Sequence, residues 1–523
     1  MRIFTFLCFL SCLLSFSNVN GQNERYLDEV FDEVEVSSLV PVASNYTILN
    51  WIATQGAAPT LRQPLVCQFY SPKGDTETNR PLVIYLHTGN FFPFPANGSC
   101  SGTMRDSSNV EIATRLAKMG YVVAVVNYRQ GWNPFHPDEI IRRYFLINAA
   151  YRGVQDVATY VRYFRRSTAQ LGNPHGIDAD KITVWGQGTG GYLSLAAAYL
   201  NTYAEIFGTA DPTKFLLPTP SGFIPMIFEK YNGNIEGTGT DTLNGIATVD
   251  ALYNSISQLK VGDTLCVPNH VGFSSDFALA VNMGGALGDS SWLHQGEVPL
   301  ISFHNPTDPF APCETDVLNV PTPTGPQPVV EVSGSCDLAE RIERLGNNEV
   351  FKKITPTKDP YGQANSTGFP AYYAFKNTYN NDTSAPWEWG ASATTPGGAT
   401  GCNTDAVAAK RYIDTIVGYF APRACVALDL PCQHTVSAKD ITESDVNLVV
   451  SPNPASDVMY FRTKDSAPMK SVELFDFMGR SLFLDNSINQ TSYELRNNNL
   501  LPGMYYVKIS FENGNLLKKV LFF

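Results

Sequence analysis

Charge is the scarcest ingredient of this 523-residue chain: 16% of its residues are Asp, Glu, Lys or Arg, against about 25% in an ordinary soluble domain. The formal net charge of −12 comes without a basic cluster, which excludes the electrostatic footprint of a nucleic-acid binder. Long apolar runs are absent except at the start, where Phe4–Phe16 follows Arg2 and gives way to Ser17-Asn18-Val19-Asn20-Gly21. A single positive charge, a short apolar core and small residues at the end describe a secretory signal peptide over 1–21. The run falls short of the roughly 20 residues of a membrane span. No transmembrane segment is expected elsewhere.

Cysteine pairs at metal-binding spacing are also missing. Two of the ten cysteines lie in the signal, and Cys67, Cys100, Cys266, Cys313, Cys336, Cys402, Cys425 and Cys432 include no C-x-x-C. Thiolate zinc binding is thereby disfavoured, and neither a metal nor a cofactor is expected. An even number of cysteines in an exported chain calls for disulfides. The expected bridges are Cys67–Cys100, beside the Gly89 turn, and Cys425–Cys432; other pairings stay open.

What the chain does have is a strand, a glycine-rich turn and a helix in immediate succession. Lys181-Ile182-Thr183-Val184 leads into Trp185-Gly186-Gln187-Gly188-Thr189-Gly190-Gly191 and then the alanine-rich Tyr192–Leu200. So sharp a turn needs small residues on both sides of its apex, because a Cβ there collides with strand or helix. Upstream, Pro81–Leu86 is a continuous apolar run suited to a parallel strand buried on both faces, and it ends at His87-Thr88-Gly89-Asn90-Phe91. Tyr121–Arg129 is a second such run. Val154, Val157, Val161 and Phe164 then recur at helical spacing, completing a βαβ rhythm. Further strands are expected near Tyr46–Trp51 and Leu65–Tyr70, and later at Phe277–Met283 and Val298–Phe303.

These segments resemble the α/β-hydrolase family, nearest its carboxylesterase and hormone-sensitive-lipase-like branches, over roughly Leu65–Leu200. The turn resembles the nucleophile elbow G-x-S-x-G, and His87–Phe91 resembles the oxyanion loop HGGG. The resemblance implies a mostly parallel sheet covered by helices. It puts Gly188 where the nucleophilic serine belongs, and a glycine offers no oxygen to attack a carbonyl. Backbone N–H groups of Gly89, Asn90 and Thr189 are the implied oxyanion hole. His87 is expected to pack its loop rather than act as a base.

His304-Asn305-Pro306-Thr307-Asp308-Pro309 resembles the late turn that supplies the triad acid, so Asp308 takes the acid position; capping a turn between prolines is its alternative reading. The family's base follows the acid, and the sole histidine beyond Asp308 is His434, past Cys432 in linker-like sequence. His434 is a weak base candidate beside the reading of a solvated linker residue. The aromatic-rich stretch Asn381–Trp389, where related hydrolases carry a histidine, has none. The helix-type segment Asp405–Phe420 precedes this region, and the Gly-, Thr- and Asn-rich span 202–279 stands where a cap or insertion would sit.

After a polar linker at 435–445, residues 446–523 alternate about seven short apolar strands with Gly, Asn and Pro turns, the pattern of a small antiparallel β-sandwich. Ser451-Pro452-Asn453-Pro454-Ala455, Leu474–Arg480 and Leu501–Lys508 resemble the type A C-terminal sorting domain of the type IX secretion system. That resemblance implies a Bacteroidota exporter as partner and a secreted or cell-surface location. The hydrolase-like domain then covers 22–434. Three functional readings follow: a pseudo-hydrolase lacking its elbow serine, with a binding or surface role toward an ester-like, lipid or glycan ligand; an active secreted esterase with a displaced nucleophile (Thr189, Ser384) or base; and an adhesive protein on a hydrolase scaffold.

Overall fold

The computed structural model describes residues 24–523 apart from 133, 135, 221, 240–262, 321–325, 355–358, 376–382, 385–387, 391–404, 433–438, 441, 477–479, 487, 498–499 and 512–513. The chain divides into two compact units, Met1–Cys432 and Gln433–Phe523.

The first unit's strands in chain order are β1 (Val34–Val36), β2 (Val40–Thr47), β3 (Leu61–Pro72), β4 (Arg80–Leu86), β5 (Val122–Val126) and β6 (Ile177–Gln187). A hairpin β7 (Leu216–Thr219) and β8 (Gly222–Pro225), then β9 (Leu279–Met283) and β10 (Leu300–His304), a second hairpin β11 (Asp316–Val320) and β12 (Gln327–Val332), and β13 (Tyr372–Ala374) follow. Nine of these form one sheet in the order β1-β3-β5-β4-β6-β9-β10-β13, with β2 also on β3. From β5 to β13 every neighbouring pair is parallel, while β1 and β2 join β3, and β3 joins β5, antiparallel.

Period-2 alternation sorts the sheet's side chains into two cores. Leu82, Ile84 and Leu86 of β4 face one side with Val154, Val157, Val161 and Phe164 of helix α2 (Glu139–Gln170) and Leu193 and Leu195 of α3 (Thr189–Tyr199). Val83 and Tyr85 face the other, against Ile112 and Leu116 of α1 (Ser107–Lys118) and Ile413, Ile416 and Phe420 of a later helix, Ala406–Ala427. Continuous apolar strands are what a doubly covered parallel sheet requires.

Two expectations fail here. Residues Tyr46–Trp51 are not a strand: β2 ends at Thr47 and a short helix, Leu49–Ala53, buries Trp51 in a stack on Phe145 at 5.8 Å between ring centroids. Cys67 is not bridged to Cys100. It is a free thiol in the middle of β3, buried in the core on the α2 side, and Cys100 belongs to a different disulfide. Cys425–Cys432 is bonded as expected, and Cys313–Cys336 ties the loop after β10 to the helix Ser335–Leu345.

The second unit contains strands β14 (Lys439–Asp440), β15 (Val449–Ser451), β16 (Val458–Arg462), β17 (Ser471–Phe475), β18 (Ser481–Asp485), β19 (Ser492–Arg496), β20 (Gly503–Phe511) and β21 (Gly514–Phe522). They make a five-stranded sheet, β14-β21-β20-β17-β18, and a three-stranded one, β15-β16-β19. Met459, Phe461 and Leu495 from the smaller sheet share a core with Val472, Val507, Ile509 and Val520 from the larger. All pairings are antiparallel except the edge pair β14–β21.

Candidate active site

At the end of β6 the chain turns through Gly188, with φ 52° and ψ −115°, straight into α3. A Cβ on Gly186 would lie 1.9 Å from the carbonyl oxygen of Gly190, and one on Gly190 would lie 2.2 Å from that of Leu86. Strand and helix therefore approach so closely that only glycine fits at both flanks. Gly188 donates to Met283 O at 2.7 Å and accepts from Gly191 N at 2.8 Å, fixing the apex.

The loop after β4 lies against this apex. A Cβ on Gly188 would stand 2.2 Å from Thr88 Oγ1 and 2.9 Å from Thr88 Cβ. The space in which a nucleophile's side chain would begin is filled by a threonine of the opposite loop. Thr189 Oγ1 accepts a 2.7 Å hydrogen bond from Asn90 N, so one of the expected oxyanion donors is already taken up by a side chain. Gly89 holds φ 140°, and a Cβ there would press on Gly102 Cα at 3.1 Å. Trp132 Nε1 donates to Asn90 O at 2.7 Å and pins the loop from outside.

His87 packs this loop. It is buried, stacks on Tyr128 with ring centroids 4.8 Å apart, and donates through Nδ1 to Thr88 O. Burial without a counter-charge lowers its pKa to about 4. Gln187, beside the apex, points away from it: its Oε1 accepts from Tyr85 Oη at 2.6 Å and its Nε2 donates to Ser108 Oγ at 3.0 Å.

Asp308 follows β10, the strand two places from β6. Its Oδ1 accepts from the N–H groups of Phe310 and Ala311 at 2.8 and 3.0 Å, and its Oδ2 from Ser384 N at 2.5 Å. Those bonds cap the turn and tie it to the segment after β13. Ser384 Oγ in turn accepts from Asn305 N at 2.8 Å. The nearest imidazole on this strand is His304, fully buried, with Nε2 donating to Ala311 O at 2.8 Å and Nδ1 accepting from Ser335 Oγ at 2.9 Å. His434 lies outside the described residues. The structure thus gathers Thr88, Gly89, Asn90, Gly188 and Thr189 at one place, and gathers Asp308 with Ser384.

One structural feature of the site escaped sequence reasoning: the Thr88 side chain that fills the space beside the Gly188 apex. Both departures from the motifs, Thr for Gly and Gly for Ser, stand in the sequence, and only stacking the two loops reveals that one fills the room left by the other. Among the described residues no group of three or more His, Cys, Asp or Glu side chains is placed to hold a metal ion, and no helix is long and apolar enough to cross a membrane.

Parallel strands in this order, with a tight glycine turn after β6 and an acidic turn after β10, define an α/β-hydrolase fold. Residues 67–217 match the BD-FAE family, and residues 449–522 match the secretion system C-terminal sorting domain. No curated protein matches the chain. Similar solved structures include brefeldin A esterase, a bacterial homologue of human hormone sensitive lipase, at 21% identity over 34% of this chain and 37% of that one, with a TM-score of 0.21. An esterase from the Planctomycetes species Thermogutta terrifontis matches at 15% identity over 48% and 69%, TM-score 0.26, and a bacterial heroin esterase at 22% over 32% and 39%, TM-score 0.21. The chain spans 37% of the length of the first of these. The chain thus has an α/β-hydrolase fold followed by a segment that matches a secretion system C-terminal sorting domain, which marks it for secretion or the cell surface.

Proposed function

We propose that the hydrolase unit is catalytically silent toward esters and serves a binding or surface role on a Bacteroidota cell, reached by way of a signal peptide over 1–21 and the sorting domain. The reading rests on Gly188: the elbow's apex has no side chain, and Thr88 Oγ1 occupies the position 2.2 Å from where a Cβ would be. Without a nucleophile at the apex, an acid cannot run acyl transfer there. The hydroxyls that could stand in, Thr189 Oγ1 and Ser384 Oγ, accept backbone N–H groups from Asn90 and Asn305, and among the described residues neither is hydrogen-bonded to an imidazole that could activate it. Ser335, whose hydroxyl does meet an imidazole, is fully buried together with His304 and closed to substrate.

Removing a triad serine lowers kcat by about 10⁶, leaving roughly 10³–10⁴ over water from binding and oxyanion effects. The purified chain should therefore turn over p-nitrophenyl acetate and butyrate no faster than that residue allows. Turnover at ordinary esterase rates, on the order of 1–10³ per second, would favour the displaced-nucleophile reading instead.

A further inference from the structure

The segment 263–276 is strapped to β2 and α2 by side-chain hydrogen bonds. Asn269 Nδ2 donates to Ser44 O at 3.0 Å, Val267 N to Asn45 Oδ1 at 3.0 Å, and Arg162 Nε of α2 to Asn269 O at 3.1 Å. Cys266, within the strap, is a free and buried thiol. His270 adds a tie that titrates. Its ring lies between two partners whose roles are fixed. Val42 O only accepts, so Nε2, 2.8 Å away, carries the proton; the Arg166 guanidinium only donates, so Nδ1, 3.2 Å from Nη1, must offer its lone pair. These contacts admit the neutral imidazole alone. His270 also holds φ 50°, a left-handed backbone that a side chain disfavours and that the two ring contacts maintain.

A second proton on this ring sets an N–H at Nδ1 against the guanidinium N–H and brings two cations together. Around the ring stand Arg162, Tyr163 and Arg166 of α2 and, across the Tyr163 hydroxyl, His175; the carboxylates of Glu236 and Asp180 pair with Arg162 and Arg165. We propose that His270 is an acid-sensitive latch: the strap is docked while the imidazole is neutral and lifts from β2 and α2 when it is protonated, baring the Cys266 thiol. Burial above all, and the Arg166 and Arg162 charges with it, lower the pKa of the docked ring, and the bond to Val42 O opposes them. The docked state therefore binds fewer protons than the released one, so docking is strongest above about pH 6.5 and weakens as pH falls.

The test uses the full chain and dithiodipyridine, which reacts with exposed thiols in acid as well as at neutral pH, with the labelled cysteines mapped by peptide mass. His270→Gln offers the same donor and acceptor and does not titrate, so it supplies the reagent's own pH dependence. Relative to that variant, Cys266 of the wild type is expected to label at least about fivefold faster at pH 5 than at pH 7.5, with a ceiling of roughly thirtyfold for an imidazole whose released pKa is about 6.5. Cys67, in the middle of β3, is expected to stay unlabelled. Arg166→Glu gives the protonated ring an acceptor, so the acceleration in acid should disappear. An equal pH response in wild type and His270→Gln, acceleration that persists in Arg166→Glu, or Cys67 labelling in step with Cys266 would each overturn the proposal. The silent-hydrolase reading is decided separately, by ester turnover.

Discussion

Thr88 and Gly188 are a matched pair: the hydroxyl of one stands where the first side-chain atom of the other would be, 2.2 Å from an ideal Cβ. Each is a departure from its motif, and together they pack the crossing of the two loops that form a hydrolase active centre. Restoring the serine alone is then a steric problem before it is a chemical one.

Gly188→Ser should destabilise the hydrolase unit by roughly 1–3 kcal/mol, the usual effect of overpacking, with a further contribution from placing a Cβ at φ 52°. Gly188→Ser combined with Thr88→Gly should recover most of that loss. Thermal unfolding of the two single variants and the double variant gives a coupling energy, expected at about 1 kcal/mol or more. Strict additivity would mean that Thr88 does not occupy the serine's place.

Arg129 and Asp156 form a fully buried ion pair at 2.8 Å, and Arg129 also reaches the carbonyls of Arg152 and Leu265 and the Gln155 amide oxygen. The pair fastens the end of β5 to α2. Arg129→Met should cost about 3–5 kcal/mol, because it leaves Asp156 charged and unpaired. Replacing both by apolar residues should cost less than the single change. Urea unfolding midpoints of the two variants make the comparison, and a single variant close to wild type would contradict the structural role of the pair.

Burial raises the Asp106 pKa to about 6, against hydrogen bonds from Gly102 and Thr103 that favour its ionised form. Between the unfolded value near 4 and the folded value near 6 the native state binds the extra proton, so this group's contribution falls as pH rises through that window. His87, lowered to about 4, acts in the opposite sense: its contribution is present above about 6.5 and is lost as pH falls toward 4. Comparing Asp106→Asn with wild type cancels the histidine. The wild type's advantage over the variant should grow as pH falls from 7 to 4.5, read from unfolding midpoints at each pH. An advantage that shrinks over that interval would reverse the sign.

Much of the fold was legible because burial on both faces leaves a plain mark: the runs Pro81–Leu86 and Tyr121–Arg129 became β4 and β5, and Ser471–Phe475 became β17. The 32-residue α2 was visible only in its second half. Its first half buries Arg142, Asn148 and Arg152, whose polar ends reach backbone carbonyls, and an apolar pattern does not record that. The segment after Tyr46 was misread as a strand because Ile48, Trp51 and Ile52 are apolar at a spacing that suits a helix turn equally well. Cys67 was paired with Cys100 on nearness to the Gly89 turn, yet its position in a strand turns its thiol into the core. At the site, Gly188 and Asp308 could be placed from motifs, whereas the filling of the apex by Thr88 depends on contact between distant segments.

Intact-mass analysis after incubation with a fluorophosphonate tests the central claim most directly, since that reagent marks an activated hydroxyl whichever residue carries it. The account expects no covalent adduct on the purified chain. A stoichiometric adduct that maps to Thr189, Ser384 or any other hydroxyl of the hydrolase unit would contradict it and make the protein a working hydrolase.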